Sequence, residues 1–228
     1  MNSSIVSIGL SNPGAPIPQA EIARFMQLAH QLDGQERRKL DFLYRKSGID
    51  FRHSVLEDFQ KEEVAEFTFF PKNKELSPFP STSARMNVFE AEAAGLAEQA
   101  VRNALEQANI EPATLTHLVL VSCTGMVAPG VELELMRRLG MPSSVQRYCI
   151  HFMGCYAAFT GLRLADQLVK ANPESRVLVV SVELCTLHFQ KEYNEDNLLA
   201  NSLFGDGAAA VMLEPNFEGL GVQDFILK

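Results

Sequence analysis

The 228-residue sequence lacks the marks of exported and membrane-spanning proteins. Its first residues, Met1-Asn2-Ser3-Ser4, form neither the basic start nor the apolar core of a signal peptide. No apolar run approaches the roughly 20 residues that a membrane-spanning helix needs. We therefore expect a cytoplasmic protein without a membrane span.

The sequence is also poor in cysteine, and none of its cysteines form a C-x-x-C pair. No cluster of cysteine and histidine has the spacing of a zinc site, so we expect no bound metal. Without an export signal, a disulfide framework is not expected either. A free cysteine is most often a small buried residue, and this is the default interpretation of the four that are present: Cys123, Cys149, Cys155 and Cys185.

Positive charge is scarce, with 20 Lys and Arg against 28 Asp and Glu and a net charge of −8. Such an acidic chain has no general attraction to nucleic acid or to anionic lipid. The composition is otherwise that of an ordinary globular protein, 46% hydrophobic and 21% charged. The length suits one large domain or two small ones.

Buried strands and amphipathic helices alternate along the chain. Hydrophobic periodicity predicts helices over residues 18–30, 35–47, 87–108, 130–139 and 156–170. Apolar runs predict strands over 5–10, 118–122, 145–151, 176–182, 208–213 and 221–227, and a stretch rich in Pro, Ser and Lys over 67–83 predicts a long loop. This order predicts an α/β fold in which a βαβαβαββ mixed sheet with helices accompanies N-terminal helices. Because natural domains seldom stop within a strand, we expect the sequence to be part of a longer protein.

Cys155 is the strongest candidate for chemistry because it stands between a predicted strand and a predicted helix. The backbone N–H groups in the first turn of a helix carry partial positive charge, which favours a nucleophilic thiolate. Gly154 permits a tight turn just before the cysteine. The N–H groups at the helix start can also donate to a developing oxyanion.

Three loops follow predicted strands, over residues 123–130, 154–155 and 183–189. Ligands of open α/β sheets bind at the carboxyl ends of the strands, so we expect these loops to converge on one pocket.

A cysteine nucleophile usually needs a basic partner, most often histidine. The chain has five: His30, His53, His117, His151 and His188. We expect His30 and His53 at a surface or an interface and His117 to be exposed. His188, on the third loop, is the best placed, either as a base or as a hydrogen-bonded residue of the pocket wall.

The segment Phe204-Gly205-Asp206-Gly207 runs into a predicted strand. Asp between two glycines suits a tight turn, because its carboxylate bonds nearby backbone N–H groups. Phe204 either joins the core or lines a pocket.

Five segments together carry a family resemblance. They are Lys46-Ser47-Gly48-Ile49, Cys123-Thr124-Gly125 with Pro129-Gly130, Gly154-Cys155-Tyr156-Ala157, Arg176-Val177-Leu178-Val179-Val180 with Glu183, and Leu203-Phe204-Gly205-Asp206-Gly207-Ala208-Ala209-Ala210. Their order and spacing resemble the type III polyketide synthases, the chalcone synthase-like enzymes of the thiolase superfamily. The resemblance covers nearly the whole chain and implies the first half of a thiolase-like layered fold over residues 1–228.

The resemblance also implies an activity. Cys155 matches the cysteine that accepts a starter acyl group from its CoA thioester, after which malonyl-CoA is decarboxylated and its carbanion attacks the bound thioester. Phe204 matches the phenylalanine at the junction of the CoA tunnel and the cavity. Lys39 and Lys46 match basic positions near the CoA phosphates. Members of the family are homodimers and use no metal or prosthetic group, and we expect the same of this protein. The expected partners are the substrates acyl-CoA and malonyl-CoA.

Several positions depart from the family pattern. Cys123 and Thr124 replace a pair of hydroxyl-bearing residues, and Ala128 stands where the family carries a methionine that reaches into the partner's cavity. Cys185 and His188 stand where plant chalcone synthases carry threonines. These positions line the family's cavity, so the starter, the number of extensions and the cyclisation stay open.

The family's catalytic histidine and asparagine lie in its second half, which these 228 residues do not include. Two alternatives therefore remain beside the polyketide synthase. One is a ketoacyl synthase III-like condensing enzyme that takes its extender from acyl carrier protein. The other is a non-catalytic, half-length subunit that stabilises or regulates a complete condensing enzyme.

Overall fold

A computed structural model describes residues 2–216, so the predicted strand 221–227 lies outside the described residues. The described strands are β1 (Asn2–Ser11), β2 (Ile17–Pro18), β3 (Phe51–Arg52), β4 (His117–Ser122), β5 (Gln146–His151), β6 (Val177–Leu184) and β7 (Asp206–Asn216). The α-helices are α1 (Gln19–Ala29), α2 (Gly34–Lys46), α3 (Thr82–Ala108), α4 (Val131–Leu139), α5 (Ala157–Ala171) and α6 (Glu195–Leu203). Residues 2–11, 90–183 and 207–216 form one compact unit, and residues 12–89 and 184–206 form the second.

The first unit is built on a five-stranded sheet with the strand order β1-β7-β6-β4-β5. β4 pairs in parallel with β5 and β6, whereas β1 and β7 are antiparallel, so the sheet is mixed as predicted. All six residues of β4 are buried. Its apolar run Leu118–Val121 is the pattern of a strand covered on both faces.

Helix α5 lies directly on this sheet. A Cβ atom added at Gly161 would lie 3.1 Å from Val121 and 3.2 Å from Val179, so the missing side chain lets the helix approach β4 and β6 closely. Ala157, Ala165 and other small apolar residues complete this contact in the core. The close packing fixes the start of α5, where the candidate nucleophile lies.

The second unit has a core of aromatic rings around Phe25. Its ring centroid is 4.5 Å from that of Phe59 and 5.5 Å from those of Phe67 and Phe70. The long loop predicted over 67–83 has no regular element before α3 begins at Thr82. Its first residues pack into the core, because Phe67 and Phe70 are buried.

Three sequence-based expectations differ from the structure. Helix α6 was not predicted, although Asn194 caps it by accepting a hydrogen bond from the N–H of Asn197. The expected exposure of His117 is wrong: its ring is buried, and Thr116 Oγ1 lies 2.7 Å from its Nδ1. None of the four cysteines is fully buried, and Cys149 and Cys155 are exposed.

No helix within residues 2–216 is long and apolar enough to cross a membrane.

Candidate functional site

Cys155 lies in a short turn that joins β5 to α5. The turn, a 3-10 helix over Gly154–Tyr156, leads directly into α5 at Ala157. Gly154 has φ +71°, the left-handed conformation that glycine adopts without a Cβ penalty. Phe152 has φ +58°, which is rare for a bulky residue and costs backbone strain. The tight strand-to-helix turn expected before the cysteine is therefore present.

The electrostatic surroundings of Cys155 come mainly from the start of α5. The thiol sits at the N-terminal end of a 15-residue helix, where the backbone dipoles leave partial positive charge. Tyr156, the residue that precedes α5, makes no capping hydrogen bond through its side chain. The N–H of Ala157, the first residue of α5, donates to the carbonyl oxygen of Gly154 in the preceding 3-10 turn.

The loop that follows β4 contacts this turn. The thiol of Cys123 donates to the carbonyl oxygen of Gly154 at 3.5 Å. On β6, the Glu183 carboxylate accepts a hydrogen bond from the backbone N–H of Cys123 at 2.8 Å and another from the Thr124 hydroxyl at 2.6 Å. The ends of β4, β5 and β6 therefore meet at one edge of the sheet in the first unit.

Two histidines lie in the same unit as Cys155. The Nδ1 atom of His151 is 3.2 Å from the carbonyl oxygen of Ser122, so this ring binds backbone. The buried His117 ring stacks on Tyr148 with centroids 6.4 Å apart, and burial lowers its pKa. Both rings therefore have structural contacts of their own.

The other candidate site residues belong to the second unit. Cys185 and His188 bound a 3-10 turn and are half-buried. Between them, Thr186 donates from its N–H to Asp206 Oδ1 at 2.8 Å and from its hydroxyl to Asp206 Oδ2 at 2.6 Å. This pair of bonds fixes the backbone that carries both candidates.

Asp206 does not form the local turn that its neighbouring glycines suggested. It begins β7, and its carboxylate also accepts a hydrogen bond from the N–H of Val55, a residue 151 positions away in sequence. Burial raises the pKa of Asp206, while the hydrogen bonds from Thr186 and Val55 oppose that rise. The carboxylate joins two distant loops, which a single-sequence pattern cannot reveal.

Phe204, Lys39 and Lys46 are all accessible in the second unit. The Phe204 side chain follows α6 directly and is 48% exposed. Lys39 and Lys46 are exposed on α2, and the Lys46 ammonium lies 5.8 Å from the centroid of the Phe42 ring. Their exposure is compatible with ligand contact.

Sequence reasoning assigned no site role to two polar residues that organise these sites: Glu183, which it named only as part of the family resemblance, and Arg52. Glu183 is a carboxylate directly after a buried apolar run, and this was a usable signal. Arg52 is 7% exposed and donates to the carbonyl oxygen of Phe204 at 2.5 Å. Its two-residue strand gave no sequence signal. Within residues 2–216, no group of three or more His, Cys, Asp or Glu side chains is arranged to hold a metal ion.

Comparison with known proteins gives consistent matches. The family model for chalcone and stilbene synthases, N-terminal domain, matches residues 2–216. Probable polyketide synthase 1 of Dictyostelium discoideum is 32% identical over 215 residues, which cover 94% of this chain and 6% of that protein. The alpha-pyrone synthesis polyketide synthase-like Pks18 of Mycobacterium tuberculosis is 33% identical over 183 residues, which cover 80% of this chain and 44% of that protein.

A solved structure is similar over almost all of the chain. The C-terminal type III polyketide synthase domain of Steely1, a type I/III hybrid from Dictyostelium, has a TM-score of 0.83 and 30% sequence identity. The match covers 97% of this chain and 58% of that chain. It confirms the predicted thiolase-like α/β fold class. The chain spans about half the length of the mycobacterial relative and of this domain.

Proposed function

Since this chain belongs to the chalcone and stilbene synthase family, whose N-terminal domain it matches over residues 2–216, we propose that it carries the acyl-accepting cysteine of a type III polyketide synthase. One observation carries the proposal: Cys155 is exposed between a left-handed glycine and the start of α5. That position gives a thiolate access to substrate and places it beside the partial positive charge of a helix N-terminus.

The chemistry has two stages. The Cys155 thiolate attacks the carbonyl carbon of an acyl-CoA, the bond to the CoA sulfur breaks, and CoA leaves and takes up a proton. Malonyl-CoA then loses CO₂, and the resulting carbanion attacks the acyl group on Cys155. The bond between that acyl group and the cysteine sulfur breaks, which returns the thiolate and forms a β-ketoacyl-CoA. The partial positive charge at the N-terminal end of α5 stabilises negative charge on the thiolate or on the tetrahedral oxyanion.

The other predicted site residues take supporting roles in this proposal. Lys39 and Lys46 bind the CoA phosphates as point charges on an otherwise acidic protein. Phe204 guards the passage of the acyl chain, and four residues line the substrate cavity: Cys123, Thr124, Cys185 and His188. No metal or prosthetic group is required. The residues that promote decarboxylation come from the family's second half, in the same polypeptide or in another chain.

We propose a homodimer as the assembly. β5 lies at one end of the strand order, so one of its edges is open within the described sheet. Large apolar side chains next to it are between 48% and 64% exposed: Phe152, Met153, Tyr156 and Phe159. A second copy would cover both features.

Light scattering after size exclusion tests this assembly. It should give twice the monomer mass for the wild type and a smaller mass for Phe159→Asp. A monomeric wild type contradicts the proposal. A cytoplasmic location stays a prediction.

Acyl labelling followed by intact-mass spectrometry tests the central proposal. The wild type should gain the mass of one acyl group from an acyl-CoA, and Cys155→Ala should gain none while its circular dichroism is unchanged. Cys149→Ala, which removes the other exposed cysteine, is the matched control and should still be acylated. Equal labelling of wild type and Cys155→Ala removes Cys155 as the nucleophile. Offering malonyl-CoA and malonyl-carrier protein separately, with the family's second half supplied, distinguishes the polyketide synthase from the ketoacyl synthase III-like alternative. A wild type that is never acylated is the outcome for a non-catalytic subunit.

A further inference from the structure

The carboxyl end of α6 is held by an unusual set of side-chain donors. Carbonyl groups at the end of a helix have no partner within the helix. Here three of them, in Asn201, Ser202 and Phe204, accept hydrogen bonds from buried side chains. The donors are Tyr44 Oη at 2.9 Å, Gln19 Nε2 at 2.8 Å and Arg52 Nη1 at 2.5 Å, respectively.

The three donors form one connected network within the second unit. Arg52 Nε donates to Gln19 Oε1 at 2.9 Å, and the Arg52 guanidinium lies 5.7 Å from the centre of the Tyr44 ring. All three side chains are buried, with exposures of 7% for Arg52, 5% for Gln19 and 2% for Tyr44. Burial raises the pKa of Tyr44 to about 12, so its hydroxyl keeps its proton at neutral pH and donates. Arg52 is the central member because it contacts both of the others.

The backbone just after Phe204 is held by residues of the loop that directly follows β3. The N–H of Asp206 donates to the carbonyl oxygen of His53 at 2.9 Å, and Val55 donates to the Asp206 carboxylate at 2.8 Å. Residues 52–55 therefore hold both sides of Gly205. The Phe204 ring, by contrast, is 48% exposed, so a fixed backbone presents an accessible aromatic side chain.

We infer that Arg52, together with Gln19 and Tyr44, is a positioning residue that fixes Phe204 and thereby determines which acyl groups reach Cys155. The inference rests on the proposed function, in which Phe204 guards the acyl passage. A guard discriminates by size only if its backbone is fixed, because a ring that shifts with its backbone admits larger groups. Arg suits this place because its planar fork donates to Phe204 and to Gln19 at once, which a lysine ammonium on a flexible stem does less well.

A competition experiment tests this inference. The purified protein is given equal amounts of acetyl-CoA and a bulky acyl-CoA such as benzoyl-CoA, and the ratio of the two acyl groups on Cys155 is measured by intact-mass spectrometry. Phe204→Ala should shift the ratio toward the bulky group on the order of 5- to 10-fold. Arg52→Met should shift it in the same direction, Arg52→Lys should give an intermediate ratio, and Arg45→Lys, on an exposed face of α2, should leave it unchanged.

The double variant Arg52→Met/Phe204→Ala separates positioning from general destabilisation. If Arg52 acts through Phe204, the double variant should show the ratio of Phe204→Ala alone. If Arg52→Met does not fold, Gln19→Leu and Arg52→Lys address the same network. An unchanged ratio in folded Arg52 variants, even with less total acylation, overturns the inference and leaves the proposed function intact. A wild type that is not acylated at all overturns both.

Discussion

The Glu183 carboxylate accepts the hydroxyl hydrogen bond of Thr124 at 2.6 Å, which ties the end of β6 to the loop after β4. The same carboxylate accepts the N–H of Cys123, whose thiol contacts Gly154. Glu183 thus orders the wall beside the turn that carries Cys155.

Glu183→Ala should lower the free energy of unfolding by about 1–3 kcal/mol, because two donors lose a charged acceptor. Glu183→Gln should cost less, since one amide oxygen still accepts. Denaturant titration of Glu183→Ala, of Thr124→Val and of the double variant Glu183→Ala/Thr124→Val gives the coupling between the two side chains. A coupling near zero would mean that the hydrogen bond between Glu183 and Thr124 is absent in solution.

The turn before Cys155 holds two residues with positive φ, and they should respond oppositely to substitution. A Cβ at Gly154 has open space around it, so Gly154→Ala should cost about 1–2 kcal/mol through backbone strain alone. Phe152→Gly should relieve comparable strain at φ +58° and be neutral or slightly stabilising, because the extra freedom of the unfolded chain offsets the gain. Thermal unfolding of both variants is the measurement, and equal destabilisation would rule out strain at Phe152. Gly154→Ala should also slow acylation of Cys155.

Cys149 should be inert as a nucleophile at neutral pH. Partial burial raises the pKa of its thiol to about 11, and the nearby Glu132 carboxylate adds to this rise. The thiol therefore stays protonated at pH values at which an ordinary cysteine ionises. The absorbance at 240 nm of the wild type minus that of Cys149→Ser should therefore rise with a midpoint near pH 11. Glu132→Gln should move this midpoint down, and a wild-type midpoint at or below pH 9 would contradict the assignment. The result also validates Cys149→Ala as the control for Cys155.

The sequence was most informative where one local pattern decides the structure. The apolar runs of β4 and β6 are long enough to be covered on both faces, and the parallel pairing of β4 with its neighbours follows from the helices between them. The turn at Gly154 and Cys155 was also predictable, because only a glycine adopts that conformation freely. Helix α6 was missed although Asn194 and the acidic residues after it are a usual helix start.

Polar groups that join distant segments were beyond single-sequence reasoning. Asp206 looked like a turn residue, yet it bonds Val55 and Thr186. Arg52 has no periodic neighbours to mark it as buried, and it reaches a carbonyl 152 residues away. Such contacts depend on which loops the fold brings together, and neither propensity nor hydrophobic spacing encodes that.

Asp58 shows how strongly one buried carboxylate of this kind can hold a loop. It is fully buried and accepts hydrogen bonds from the N–H groups of Thr68, Phe69 and Phe70 at 2.7, 3.0 and 2.8 Å. The Thr68 hydroxyl donates to it as well, at 2.9 Å. These bonds fix the start of the long loop, where Phe70 enters the aromatic core.

Asp58→Ala should therefore lower the free energy of unfolding by about 3 kcal/mol or more, because three backbone donors lose their acceptor in a buried place. Asp58→Asn should cost less, since the amide oxygen of the asparagine still accepts some of these hydrogen bonds. Hydrogen exchange should show faster exchange of the amides of Thr68, Phe69 and Phe70 in both variants. Asp41→Ala, which removes a half-buried carboxylate from α2, is the comparison variant and should leave those three amides protected. Protected amides in a folded Asp58→Ala protein would mean that the aromatic packing alone holds the loop.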